Sequence, residues 1–258
     1  MHIPTDYHRE KEYALVIMLH GYSDNPRLME FYTGMSKKAD KEGFIVVYPQ
    51  GTNDDDDSKF SWNADFCCGG AKRQNIDDVA FISTLIDSVA EEHTIDLRRV
   101  YVAGFSNGGM LAHKLGTDLT SKIAAIADVS GTIGSNESEL NKPTSTLPVL
   151  ILHGTADVTI PFKGEVNKDG DDYTSTADAV AFWRSNNGCD TNVEDVLALY
   201  TKTIYQGCQN NDEVQLYAIK DGAHTWFGGK QDVIKNVFGN SISATDVIWK
   251  FFNSQVKP

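Results

Sequence analysis

No stretch of this chain stays apolar for anything near the roughly 18 residues that a membrane-spanning helix needs, so a bilayer span is excluded from the sequence. Positive charge is scarce: 23 Lys and Arg stand against 36 Asp and Glu, for a formal net charge of −13. A chain of that sign lacks the basic footprint that phosphate backbones require and is repelled by anionic lipid, so neither nucleic acid nor membrane is expected as a partner. Cysteine is limited to Cys67, Cys68, Cys189 and Cys208. None of their spacings suits a zinc chelate, adjacent cysteines least of all, and no metal site is expected. The 7 prolines are dispersed, no segment repeats, and composition does not shift along the chain, so residues 1–258 read as one domain able to build a large core. Two acidic stretches, 54–57 and 167–172, lack the ordered ligand spacing of a calcium loop and read as solvated loops. The N-terminus carries no apolar signal-peptide core. The even number of cysteines suits disulfides in an oxidising compartment, making an extracellular or periplasmic mature protein the expectation and a cytoplasmic one the alternative.

What the chain does have is alternation of short apolar runs with helix-spaced segments. Runs at 14–19, 44–48, 100–103 and 149–152 are continuously apolar, and 123–129 is so but for Asp128, as strands are when both faces of a parallel sheet are covered. Two further strands are expected at 197–204 and 214–219. Leu28, Phe31, Tyr32, Met35 and Ala39 follow helical spacing up to Gly43 and predict one helix. Asn75 stands as N-cap of a helix whose Val79, Ile82, Ile86 and Val89 form an apolar stripe. Helices are also expected at 110–119 and 177–183. Ser243 and Asp246 resemble a capping box before a last helix that buries Val247, Ile248, Phe251 and Phe252. The fold class is α/β: a mostly parallel sheet with helices on both faces. The connection between Val129 and Val149 is short and polar, which leaves no room for a large lid.

The most informative segment is Gly104-Phe105-Ser106-Asn107-Gly108, placed where a β-branched run meets a helix. A sharp strand-to-helix turn raises a serine hydroxyl above the sheet, and the crowding tolerates only glycine two residues either side. A hydroxyl needs a base to take its proton and a carboxylate to orient that base. Asp157, just past the strand 149–152, and His224, past the strand 214–219, stand in the order serine, acid, histidine, as in the α/β-hydrolase fold. His20 and His153 end strands in Leu-His-Gly, where a structural hydrogen bond is expected, while Asp128 lies inside an apolar strand. The developing oxyanion needs two N–H donors: that of Asn107, after the nucleophile, and that of Tyr22, after the first strand.

With these residues in place the sequence resembles a family of α/β-hydrolase esterases that groups secreted poly(3-hydroxybutyrate) depolymerases with feruloyl and acetylxylan esterases. The resemblance rests on Leu19-His20-Gly21, Tyr48-Pro49-Gln50-Gly51, Ser61-Trp62-Asn63, Cys67-Cys68-Gly69, Asp77 to Phe81, Gly104 to Met110, His153 to Asp157, Asn187-Gly188-Cys189 and His224-Thr225-Trp226. It implies ester hydrolysis by Ser106, Asp157 and His224 with no metal or organic cofactor. The chain departs from the family at Tyr22, where cysteine is common, at Ala223, where glycine is, and at Phe227, where proline is; these changes bear on substrate choice. Trp62, Phe105, Trp226 and Phe227 are expected to bind substrate by stacking or apolar contact. Cys189 and Cys208, at a helix end and beside the closing strands, are expected to form a disulfide, and Cys67 with Cys68 a vicinal one. The expected substrates are short-chain and hydroxycinnamoyl esters of plant polysaccharide, polymeric esters included, acted on by a monomer or small homo-oligomer. Poly(3-hydroxybutyrate) depolymerase and acetylxylan esterase are the alternatives. A serine peptidase of this fold, which usually carries a large extra domain, and a non-catalytic binding module, which usually loses a triad member, fit less well.

Overall fold

The first strand, β1 (Tyr13–Leu19), is buried along its whole length, and its side chains divide by parity. Tyr13, Leu15, Ile17 and Leu19 enter one apolar cluster, Ala14, Val16 and Met18 a second on the opposite face. A strand whose successive side chains alternate sides must be apolar throughout when both sides are covered. The computed structural model describes residues 1–53, 59–134, 143–166, 172–230, 232 and 242–257. The acidic runs expected to be solvated loops (54–57 and all but the last residue of 167–172), and much of the 129–149 connection, lie outside the described residues.

After β1 the strands are β2 (Ile45–Val47), β3 (Thr52–Asn53), β4 (Phe60–Ser61), β5 (Ile95–Phe105), β6 (Ala125–Val129), β7 (Val149–Gly154), β8 (Glu165–Val166), β9 (Asp172–Tyr173), β10 (Thr191–Val196), β11 (Tyr200–Gln206) and β12 (Val214–Ile219). Eight form one sheet in the order β10-β11-β12-β7-β6-β5-β1-β2; β3 with β4 and β8 with β9 make short ribbons. From β12 to β2 every pairing is parallel, while β10, β11 and β12 are antiparallel neighbours. Carboxyl ends of β1, β5, β7 and β12 therefore open on the same edge, where α/β sheets place their sites.

The helices are α1 (Pro26–Thr33), α2 (Met35–Glu42), α3 (Gly69–Arg73), α4 (Asp78–Glu92), α5 (Asn107–Asp118), α6 (Thr176–Asn187) and α7 (Ala244–Phe252). Apolar residues of α4, α5 and α6 fill the cluster on one face of the sheet, and those of α1, α2 and α7 the cluster on the other. The mostly parallel α/β-hydrolase architecture is thus as expected.

Several local expectations need correction. The single helix through Gly43 is two helices, because Gly34 takes a left-handed φ of 65° that ends α1 before α2 begins. Within α1 the side chains that face inward are Met29 and Tyr32, leaving Leu28 and Phe31 exposed. The N-cap of α4 is Asp77, whose carboxylate accepts the Ala80 N–H at 2.9 Å, while Asn75 stands outside with φ 51°. The expected strand at 197–204 is the later arm of a hairpin, β10 and β11, turned between Val196 and Tyr200. Ser243 does cap α7, accepting the Asp246 N–H at 3.2 Å, and the Asp246 carboxylate meets Lys38 of α2 at 2.6 Å.

Candidate active site

Ser106 sits between β5 and α5 at φ 55°, ψ −121°, a backbone conformation that costs a non-glycine residue on the order of 1–3 kcal/mol. The turn is held by the Ser106 N–H, which donates to the Val129 carbonyl at 2.9 Å, and by the Met110 N–H, which donates back to the Ser106 carbonyl at 3.0 Å. A Cβ at Gly104 would collide with the Gly108 carbonyl, and one at Gly108 with the carbonyls of Leu19 and His20. Both glycines are therefore demanded by close backbone approach.

Asp157 follows β7 and is fully buried as a side chain. Its Oδ1 accepts the N–H groups of Thr159 (2.8 Å) and Ile160 (2.9 Å), which fixes the carboxylate plane. Its Oδ2 accepts the Nδ1–H of His224 at 2.7 Å. Burial works to raise the Asp157 pKa. The hydrogen bond and charge of His224, the Ile160 N–H and the charge of His153 outweigh it and hold the carboxyl below its ordinary value. With Nδ1–H committed to the carboxylate, Nε2 of His224 is left as the basic nitrogen. The His224 ring lies 4.9 Å from that of Phe105, the residue before Ser106, so the histidine packs against the strand-to-helix turn.

His153 approaches the same carboxylate oxygen at 3.5 Å, and its Nε2–H donates to the Ile160 carbonyl at 2.8 Å. It braces the loop that carries Asp157. His20 is likewise structural. Its Nε2 accepts the Gly51 N–H at 3.0 Å and its Nδ1–H donates to the Gly21 carbonyl at 2.8 Å, so the ring is neutral, and burial lowers its pKa further from the charged form. That bond fixes the peptide next to Tyr22. A Cβ at Gly21 would stand 3.5 Å from the Ser106 Cβ, so this loop passes directly over the serine. The Asn107 N–H belongs to the first turn of α5, where no intrahelical acceptor exists.

A cleft of about 400 Å³ opens beside Ser106 and is lined by Tyr22, Asn107, Cys67, Cys68, Met110 and Ile160, with Arg73, Thr159 and Tyr173 completing the rim. The aromatic residues expected to receive substrate lie elsewhere. Trp62 is completely buried, with its indole N–H donating to the His20 carbonyl at 3.0 Å. Trp226 donates to Thr245 Oγ1 at 3.0 Å, and that hydroxyl donates to the Thr33 carbonyl. Phe227 is buried in the same cluster, and Phe105 packs between His224 and Tyr32. Trp62 and Trp226 are thus buried with their single donors satisfied, and none of the four residues is among those lining the cleft.

Sequence reading missed most of the cleft wall. Met110 was within reach, standing one helical turn after Ser106 on the same face. Tyr173 carries no local signal, since it arrives on a short ribbon from 67 residues further along the chain. The structure pairs Cys189 with Cys208, and Cys67 with Cys68 in the cleft wall.

Comparison with known proteins adds four likenesses. Residues 5–170 match the family described as phospholipase/carboxylesterase. The chain is 32% identical over 149 residues to the bifunctional acetylxylan esterase/xylanase XynS20E of Neocallimastix patriciarum, which covers 58% of this chain and 20% of that protein. It is 26% identical over 233 residues to feruloyl esterase B of Piromyces equi, covering 88% of this chain and 42% of that one. The chain thus spans less than two thirds of the length of these relatives. Among solved structures, acetyl xylan esterase from Aspergillus awamori shares the fold with a TM-score of 0.66 over 98% of this chain and 92% of that chain, at 14% identity.

Proposed function

The chain belongs to the phospholipase/carboxylesterase family, and from that premise we propose that it is a serine carboxylester hydrolase whose triad is Ser106, His224 and Asp157. The observation that carries this reading is the 2.7 Å bond from His224 Nδ1–H to an Asp157 carboxylate whose other oxygen is held by two backbone N–H groups. In this reaction His224 Nε2 takes the proton of Ser106 Oγ as that oxygen attacks the ester carbonyl. The imidazolium is stabilised by Asp157, and the tetrahedral oxyanion accepts from the N–H groups of Tyr22 and Asn107. Collapse passes the proton from His224 to the departing alcohol and leaves an acyl-Ser106 ester. Water, deprotonated by the same nitrogen, then releases the acid. Every proton moves between groups of the chain, substrate and water, so the chemistry calls for no metal or cofactor.

The substrates we assign are short-chain and hydroxycinnamoyl esters, with feruloylated or acetylated plant polysaccharide as the natural target. The feruloyl esterase and acetylxylan esterase names among the relatives support this class. The two disulfides favour an oxidising compartment for the protein. The test is kcat/KM for methyl ferulate, p-nitrophenyl acetate and p-nitrophenyl palmitate. Ready turnover of ferulate and acetate with poor turnover of palmitate is expected. Best activity on palmitate, or no detectable ferulate hydrolysis, overturns the substrate assignment and brings polyester depolymerisation forward.

A further inference from the structure

Strand β6 is apolar but for Asp128, which is completely buried and pairs in register with Gly104 of β5, two residues before Ser106. A carboxylate taken out of water is tolerated only where donors meet it. Its Oδ1 accepts the Gly131 N–H at 2.8 Å, and its Oδ2 accepts Nε2–H of His113 at 3.2 Å. His113 lies on the second turn of α5 and is buried as well. Its other ring nitrogen, Nδ1, accepts the indole N–H of Trp183, a fully buried residue of α6, at 2.9 Å.

The indole fixes where the protons are. A Trp N–H can only donate, so Nδ1 of His113 is the acceptor and Nε2 carries the hydrogen that Asp128 receives. Trp183, His113 and Gly131 thus direct their donors along one path that ends on a single carboxylate. The imidazole in this pattern is neutral.

Both ends of the path are attached to the serine. On the strand side, the Asp128–Gly131 bond closes a turn over Val129 and Ser130, and the Val129 carbonyl accepts the Ser106 N–H at 2.9 Å. On the helix side, His113 belongs to the helix that begins directly after Ser106. Between them the carboxylate occupies space that two glycines leave open, since a Cβ at Gly109 or at Gly131 would collide with Asp128 Oδ1. Ser106 and Ser130 both stand at φ 55°. A non-glycine residue persists in that region only where its surroundings over-determine it, and this buried path does so on both sides of the turn.

We propose that Asp128 and His113 are positioning residues for Ser106: the Trp183–His113–Asp128 path fastens the first two turns of α5 to the end of β6 and so holds the strained serine in line with His224. The inference rests on the esterase reading above, and deepens it by naming what maintains the geometry of the nucleophile. Neither residue lines the cleft, so substrate binding does not depend on them directly. Loss of the path should therefore reach kcat and spare KM.

The variants separate the hydrogen bonds from the bulk of the side chain. His113→Gln keeps both bonds, because its amide oxygen accepts the indole N–H while its amide N–H donates to Asp128. His113→Phe keeps a ring against Trp183, whose plane lies 24° from that of His113, and loses both bonds. Asp128→Asn sets an amide N–H against one of the two donors. Each variant is measured for kcat and KM with p-nitrophenyl acetate, for its rate of inactivation by a fluorophosphonate, and for Tm. Inactivation reads the serine without acyl-enzyme turnover, and its end point counts competent sites, so a slow enzyme is told apart from a partly unfolded one. His113→Phe and Asp128→Asn should lower kcat and the inactivation rate by about 10- to 100-fold, the scale of an ångström-sized misplacement, with KM within about twofold. His113→Gln should stay within about threefold of wild type in both rates. Should Asp128→Asn fail to fold, the two His113 variants decide the matter. Unchanged kcat in the folded Phe and Asn variants with only Tm lowered, or a Gln variant as slow as the Phe variant, overturns the positioning role. A wild type inert towards both the ester and the fluorophosphonate overturns the esterase reading instead.

Discussion

The Asn107 side chain clamps both backbone polar groups of Trp62: its Oδ1 accepts the Trp62 N–H at 2.7 Å and its Nδ2 donates to the Trp62 carbonyl at 3.0 Å. This is a two-point, strand-like pairing made by an amide side chain, and it docks the loop before the Cys67–Cys68 pair on the first residue of α5. Asn107→Ala keeps its own N–H for the proposed oxyanion site but leaves the buried Trp62 N–H unpaired and the Trp62 carbonyl with only the Cys68 N–H at 3.3 Å. A loss of about 1–3 kcal/mol in stability is expected, the cost of one orphaned buried group. The fall in kcat should exceed the change in KM, because a displaced oxyanion donor acts in the transition state. Asn107→Asp, which keeps the acceptor and loses the donor, should lie between. Chemical denaturation and Michaelis kinetics on p-nitrophenyl acetate measure both.

Ser106→Ala and His224→Ala should each lower kcat on the order of 10⁶-fold, and Asp157→Asn on the order of 10⁴-fold, with strongly non-additive double variants. The φ of 55° at Ser106 adds a second signature. Ser106→Gly removes the strain on the turn and should be more thermostable than Ser106→Ala, although both are inactive. Near-full activity in Asp157→Asn would show that another group orients His224.

These elements differ in how plainly the sequence announces them. The strand-to-helix turn at Ser106 was readable because backbone crowding there admits only Gly104 and Gly108, and the parallel strands because burial on both faces forces almost wholly apolar runs. Strand β10 was missed for the opposite reason: Thr191 to Val196 is exposed at every position and carries no buried periodicity. Gly34 fell within an apolar spacing that suits a continuous helix, and nothing local distinguishes a tolerated glycine from one in the left-handed region. Trp62 was expected to meet substrate, yet it is buried. Its indole donor is satisfied by the His20 carbonyl, 42 residues earlier in the chain, a pairing that only the folded chain reveals. The cleft beside Ser106 is harder still, because Cys67, Met110, Ile160 and Tyr173 come from four separate segments.

The Cys189–Cys208 bond joins the end of α6 to the end of β11, and so pins the antiparallel hairpin to the helix that covers it. Neither residue lines the cleft. Closing a loop of this length is worth about 3 kcal/mol, mainly through the unfolded chain. Cys189→Ala/Cys208→Ala should therefore lower Tm by roughly 6–12 °C at 2–4 °C per kcal/mol, with kcat/KM for p-nitrophenyl acetate at 25 °C little changed. A comparable loss of activity in the folded variant would mean that the hairpin communicates with the site.

Asp78 is buried on the first turn of α4 and accepts the N–H of Asn63, the residue after Trp62, at 2.7 Å. Burial raises its pKa to about 6; the Asn63 N–H opposes that rise in part, and the neighbouring Asp77 charge adds to it. The native state thus binds a proton at Asp78 more tightly than the unfolded chain does. The stabilisation it contributes is complete below the unfolded pKa, near 4, and is lost as pH rises through about 6. Asp157 has the opposite sign: its lowered pKa contributes stability above the unfolded value, which is lost as pH falls through the folded one. Asp78→Asn keeps an acceptor for Asn63 and removes only the titration. Any fixed cost of seating its amide cancels in the slope, so the Tm of Asp78→Asn minus that of wild type should increase from pH 4 to about pH 7 and then level off. Thermal denaturation of both proteins at half-unit steps from pH 4 to 8 measures it, and parallel Tm curves would place the Asp78 pKa in the ordinary carboxylate range.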